Sequence, residues 1–143
     1  MTLLDAYALV AFIAEEPAAA EVEALLRGPR SGVVVINLAE AVDICTRVHG
    51  LDLRAVGNAL EPLLDEILEV VASTEEEAWE AARLRLTYYD RSSAALSIAD
   101  CLVLAHAVLG GDAIATSDPA LAGAARREDV DIHALPDSSG RRP

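Results

Sequence analysis

The chain has 143 residues, 53% of them apolar and only 3% aromatic, with 24 acids against 11 bases and a formal net charge of -13. This length points to one domain, and a chain of this size buries roughly 68–70% of its unfolded surface, so its core needs neither disulfides nor a structural metal. The apolar content excludes general disorder. The acidity argues against wide, nonspecific binding to nucleic acid but not against a nucleic-acid enzyme whose clustered carboxylates hold a cation that faces the phosphate.

Every base is an arginine; the chain contains no lysine. That excludes a P-loop nucleotidase and a Schiff-base enzyme, each of which needs one, and it disfavours a phosphoacceptor receiver domain. Met1 to Ala14 is apolar but carries Asp5 and no basic leader. The longest uncharged apolar stretches, near Gly32–Ala39 and Cys101–Gly111, fall short of the ~18 residues a membrane helix needs. A cytoplasmic location and no membrane role are expected. Cys45 and Cys101 form no CxxC and read as buried thiols in a reducing compartment.

Thr2–Leu4 is a short apolar run entering a helix over Ala6–Glu15. Pro17 opens a second helix, Ala18–Arg27, and Gly28–Gly32 is a turn. The β-branched run Val33–Ile36 predicts a strand buried on both faces, and Asn37 is placed to cap the next helix, which Gly50 closes after about Val48. Asp52 to about Asp65 predicts another helix, with Pro62 shortening or kinking its end. Ile67–Ala72 is strand-like, and Thr74 with Glu77 forms a capping box for a helix reaching about Tyr88. After a Ser-rich loop, Ser97 and Asp100 repeat that pattern ahead of an apolar helix ending at Gly110-Gly111. Ala113–Thr116 is a third buried strand, Asp118-Pro119 starts a helix, and Val130–His133 is a last strand. This alternation predicts an α/β fold, its parallel sheet covered on both faces. Residues 1–136 make the domain in this reading, and 137–143 a polar, flexible tail.

In an open parallel sheet, ligands bind beyond the carboxyl ends of the strands, near a topological switch point. Asp5 follows the first strand and Asp118 follows Ala113–Thr116; Glu40 and Asp100 each lie about one turn into a helix. Acids among such apolar neighbours are costly to bury, and four together raise one another's pKa. A divalent cation relieves both problems, and hard oxygen donors favour Mg²⁺ or Mn²⁺ over zinc. Individually, Asp118 also reads as an N-cap, Asp100 as a capping-box residue and Glu40 as a solvated helix edge.

The string Leu3-Leu4-Asp5-Ala6-Tyr7-Ala8-Leu9-Val10 resembles the opening of PIN domains. Leu38-Ala39-Glu40, the run Ser97 to Ala107 around Asp100, and Ile114-Ala115-Thr116-Ser117-Asp118 resemble their second, third and fourth acid motifs, in order and at matching spacing. The resemblance implies a three-layer α/β/α fold with a central parallel sheet of about four to five strands, those bearing Asp5 and Asp118 being adjacent. The short chain is similar to VapC-type toxins of type II toxin–antitoxin pairs. That implies an Mg²⁺- or Mn²⁺-dependent endoribonuclease, usually dimeric, silenced by a cognate antitoxin. It also makes Asp5, Glu40, Asp100 and Asp118 both the catalytic set and the metal ligands. One departure is Tyr7, where the family often carries a small hydroxyl residue.

Thr116, Ser117 and Asp43 are candidates for contacts behind the ligands, and Arg91 for contact with RNA phosphate. Arg83 and Arg85 read as exposed helix charges, Asp112 as a turn residue, and Glu75-Glu76-Glu77 as favourable charge at a helix N-terminus. His106 lies about 240° around its helix from Asp100 and cannot share a metal with it; His49 and His133 have no partner legible in the sequence. Two other readings stay open: a PIN-like nuclease of RNA processing without an antitoxin, and a catalytically silent interaction module. A haloacid-dehalogenase-like phosphatase also begins with an Asp after its first strand, but wants a second Asp where Tyr7 stands, and a lysine.

Overall fold

The computed structural model describes residues 1–143. Strands β1 (Thr2–Leu4), β2 (Ser31–Val34), β3 (Leu68–Val71), β4 (Ala113–Thr116) and β5 (Ile132–Ala134) form one sheet in the order β3-β2-β1-β4-β5, every neighbouring pair parallel. The helices are α1 (Ala6–Ile13), α2 (Ala19–Leu26), α3 (Val35–Asp43), α4 (Leu53–Glu66), α5 (Glu75–Tyr88), α6 (Ile98–Gly110) and α7 (Pro119–Arg127).

Side chains alternate across the sheet with the period of two that a strand imposes. Leu4, Val33 and Ala115 pack with Leu9, Val22, Ala41 and Leu60 of α1–α4. Their strand neighbours Leu3, Val34 and Ile114 pack with Leu84, Leu104 and Leu121 of α5–α7 on the opposite face. The expected three layers are therefore present, and the sheet has five strands. Each fully buried Leu or Ile contributes roughly 1.5–3 kcal/mol through transfer from water, so two apolar residues in succession on each central strand hold both helical layers.

Some expected boundaries move. β2 is Ser31–Val34, in register with β1 through Ser31↔Thr2 and with β3 through Val34↔Val71. The β-branched Val35 and Ile36 instead form the first turn of α3, partly exposed. Asn37 is accordingly not a cap; it sits inside the helix and is fully buried. α3 gives way to a π-helical turn at Ile44–Val48, where the Thr46 hydroxyl donates to the carbonyls of Val42 and Asp43. Pro62 does not end α4, which runs on to Glu66. The last strand is Ile132–Ala134 rather than Val130–His133, fixed by its pairing with β4. Gly111, at φ 68°, closes α6 as expected. In the C-terminal segment Arg142 donates to the Glu21 carboxylate and to the Ala134 carbonyl.

Candidate active site

The chain lays β2 and β3 on one side of β1, then returns to lay β4 and β5 on the other. The switch point thus falls between β1 and β4, where such sheets open a crevice at their carboxyl ends. Leu4 pairs with Ala115, and the Asp5 N–H donates to the Ala115 carbonyl at 3.2 Å, so Asp5 and Asp118 emerge from adjacent strand ends.

Three of the four acids cap helices. Asp5 is the N-cap of α1 and accepts from the Ala8 N–H at 2.7 Å through Oδ1. Asp118 caps α7, its Oδ1 accepting from Ala120 at 2.6 Å and Leu121 at 2.8 Å. Asp100 shares a capping box with Ser97 at the start of α6, its Oδ2 accepting from the Ser97 N–H at 2.7 Å. Between β4 and α7, the buried Thr116 hydroxyl accepts from the Asp118 N–H at 2.9 Å, and it lies close enough to Asp5 to lower that carboxyl's pKa. Ser117 is buried beside it.

The carboxylates feel one another. Burial, reinforced by the charges of Asp100 and Asp118, pushes Asp5 up to about 7, against the lowering pull of the Thr116 and Ala8 hydrogen bonds. Asp100 is raised by burial and by Asp118, with Ser97 and the Arg85 guanidinium acting the other way. Half-buried Glu40 is raised by burial, then by Asp100 and Asp43. Asp100 therefore lies within the field of all three other acids. No three acid, histidine or cysteine side chains converge into a ready-made ion cage.

Other expected residues sit differently. Asp43 is exposed and accepts from the Arg47 guanidinium, which holds it below the usual carboxylate range. Arg91 is exposed on the turn that Asp90 closes through Ser92 and Ser93. The Tyr7 hydroxyl donates to the Pro136 carbonyl at 3.3 Å; burial and the nearby Glu16, Asp137 and Asp5 carboxylates push its pKa up. His106 meets Glu77 at 2.5 Å and stands 3.6 Å from Asp112, which also pairs with the Met1 amine, so Asp112 is more than a turn residue. His49 faces Glu16 at 3.6 Å and His133 faces Thr2 at 3.4 Å.

Two residues escaped the sequence reading. Arg85 is not a free helix charge: it donates to the Leu96 carbonyl, lies over the Tyr89 ring and acts electrostatically on Asp100. Its i,i+4 spacing from Tyr89 is the signal that was legible. Asn37, one turn before Glu40 on α3, is buried with neither side-chain polar atom hydrogen-bonded. The larger clefts lie away from the carboxylates, one of about 440 Å³ between α2 and β5.

A sequence profile of the PIN domain matches residues 2–127. The chain belongs to the PIN domain family. Among solved structures, this PIN fold is similar to the sarcin-ricin loop cleaving toxin VapC20 of Mycobacterium tuberculosis, with a TM-score of 0.70 and 19% identity over 87% of this chain and 95% of that one. It is similar to a chain of VapBC2 from Rickettsia felis, solved bound to a promoter DNA fragment, with a TM-score of 0.66 and 16% identity over 92% and 96% of the two chains. FitAcB from Neisseria gonorrhoeae gives 0.61 and 23% identity over 92% and 96%. No curated protein sequence matches the chain. No helix of this PIN domain is long and apolar enough to cross a membrane.

Proposed function

We propose that this PIN-domain protein is a metal-dependent endoribonuclease, the toxin of a type II toxin–antitoxin pair, held inactive by a cognate antitoxin and acting as a homodimer. The observation that supports the reading is that Asp5 and Asp118 follow the adjacent ends of β1 and β4, with Asp100 acting electrostatically on Asp5 and Glu40 and feeling Asp118. The likeness in fold to solved toxins supports the toxin role.

The donor set fits a hydrated Mg²⁺ or Mn²⁺. Such ions take hard oxygens, keep several waters and are bound through one or two carboxylates plus substrate phosphate, rather than by an all-protein cage. Asp5 and Asp100 are the main ligands in this reading. Bound there, the cation supplies Lewis-acid activation of water and neutralises phosphate charge. Thr116 holds the backbone that presents Asp118. Glu40 and Asp118 complete the set, directly or through water, the more exposed Asp118 from the solvent side. In-line attack on phosphorus forms the new P–O bond and breaks the bond to the 3′ oxygen, leaving a 5′-phosphate and a 3′-hydroxyl.

Incubating the protein with a pool of structured cellular RNAs in Mg²⁺, Mn²⁺ or EDTA, beside Asp5→Ala, tests this. Discrete cuts that need metal and vanish in the variant are expected. Cutting that persists in EDTA or in Asp5→Ala overturns the mechanism. A folded wild type that binds Mn²⁺ and never cuts RNA, alone or freed of co-purifying protein, overturns the nuclease reading.

A further inference from the structure

A nuclease with a net charge of -13 gains little from wide, nonspecific phosphate contacts. Some other surface at the site must supply affinity. Exposed apolar and aromatic side chains stand at the helix ends beside the elements that carry Asp100 and Glu40. Ile98, two residues before Asp100 and at the first position of α6, is 53% exposed. Tyr89, which ends α5, is 42% exposed. Val35 and Ile36 in the first turn of α3, the helix that carries Glu40, are also exposed.

Tyr89 is held in place by Arg85. The Arg85 guanidinium donates to the Leu96 carbonyl, one residue before the α6 cap, and its Cζ lies 4.5 Å from the Tyr89 ring centroid. The pair thus locks the end of α5 against the start of α6. The Arg85 charge also acts on Asp100. A planar cation stacked on an exposed ring, beside a phosphodiester-cleaving centre, is the combination that holds an unpaired base: the ring offers its face, and the guanidinium adds charge for the neighbouring phosphate.

Resting on the nuclease reading, we propose that Tyr89, set by Arg85, is the platform on which an unpaired base of the RNA stacks next to the scissile phosphate. A base inside an A-form helix cannot expose its face to Tyr89, so the platform takes only an unpaired one.

The test is binding of a short fluorescein-labelled single-stranded RNA, in Mg²⁺, to the cleavage-deficient Asp5→Asn protein, followed by anisotropy. Adding Tyr89→Ala is expected to weaken binding roughly 5- to 150-fold, while Tyr89→Phe keeps it, since stacking needs the ring and not the hydroxyl. Binding of the same sequence as a duplex should be unchanged by either variant. Arg85→Gln should weaken single-strand binding and reduce its salt slope by about one phosphate contact. Thermal melts and light scattering accompany each variant. The inference is overturned if Tyr89→Ala binds like its parent, if Tyr89→Phe loses as much as Tyr89→Ala, or if Tyr89→Ala changes only the oligomeric state. Those outcomes leave metal-dependent cutting by the wild type untouched. Failure of the nuclease reading appears separately, as absence of cutting in the RNA pool.

Discussion

Asp5 makes the metal-free protein sensitive to pH in a direction that can be worked out. Its pKa rises from 3.8 in the unfolded chain to about 7 in the fold, chiefly through burial. Between those values the unfolded chain has released the proton and the folded one retains it. Stability is therefore full below about pH 4 and falls as pH climbs toward 7, at most 1.36 kcal/mol for each pH unit. By pH 8 the ionised Asp5 costs the fold about 4 kcal/mol. Asp5→Asn mimics the protonated carboxyl, keeps an oxygen for the Ala8 N–H and removes a charge from the field of Asp100 and Asp118.

The expected result is a metal-free variant that melts roughly 10 °C above wild type at pH 8, with the gap closing near pH 4. Asp43→Asn is the control: exposed and outside the cluster, it should leave the melting curve nearly unmoved at both pH values. Excess Mn²⁺ should raise the wild-type melting temperature and move Asp5→Asn far less. Parallel pH profiles for wild type and Asp5→Asn would refute the claim that burial stores this charge energy.

Two substitutions separate stability from chemistry elsewhere in the site. Asp118→Ala should cost about 1 kcal/mol by removing the cap of α7, whereas Asp118→Ser should keep the cap and the melting temperature yet lose RNA cleavage; a cleaving Asp118→Ser would confine that residue to capping. Asn37→Leu replaces a buried amide that has no protein partner with a larger side chain of the same branching, so the gain of about 1–3 kcal/mol from losing the unpaired amide is offset in part by crowding, and denaturant titration should show a net stabilisation.

The parallel sheet was legible because its strands are short apolar runs between capped helices: Thr74 with Glu77 and Ser97 with Asp100 form the capping boxes their spacing predicts. The error at Val33–Ile36 has a physical cause. β-Branched residues favour a strand locally, but β2 must align with β1 from Ser31, and four residues fill the height of the sheet before the chain turns into α3. Tertiary register overrode propensity there. Arg85 was misjudged because its partners, Leu96 and the Asp100 helix, lie across a loop that local periodicity does not span. The spacing of Asp112 from Met1 and His106 hid a network that only the return of β4 beside β1 creates.

For Asp5, Asp100 and Asp118 the structural reading and the proposed catalytic one fall on the same residues. Each uses one carboxylate oxygen to bond a free amide at the N-terminus of a helix. A helix N-terminus carries about half a positive charge, and its free N–H groups favour an anion. Three such ends offset part of the repulsion that three clustered acids would otherwise create, while the second oxygen of each carboxylate takes no capping bond. Glu40 has no such support: it lies in the second turn of α3, whose Val34 cap offers no side chain to the first amides. The acid cluster is thus assembled by helix capping before any cation arrives, and capping also explains why three of its members look ordinary when read one at a time.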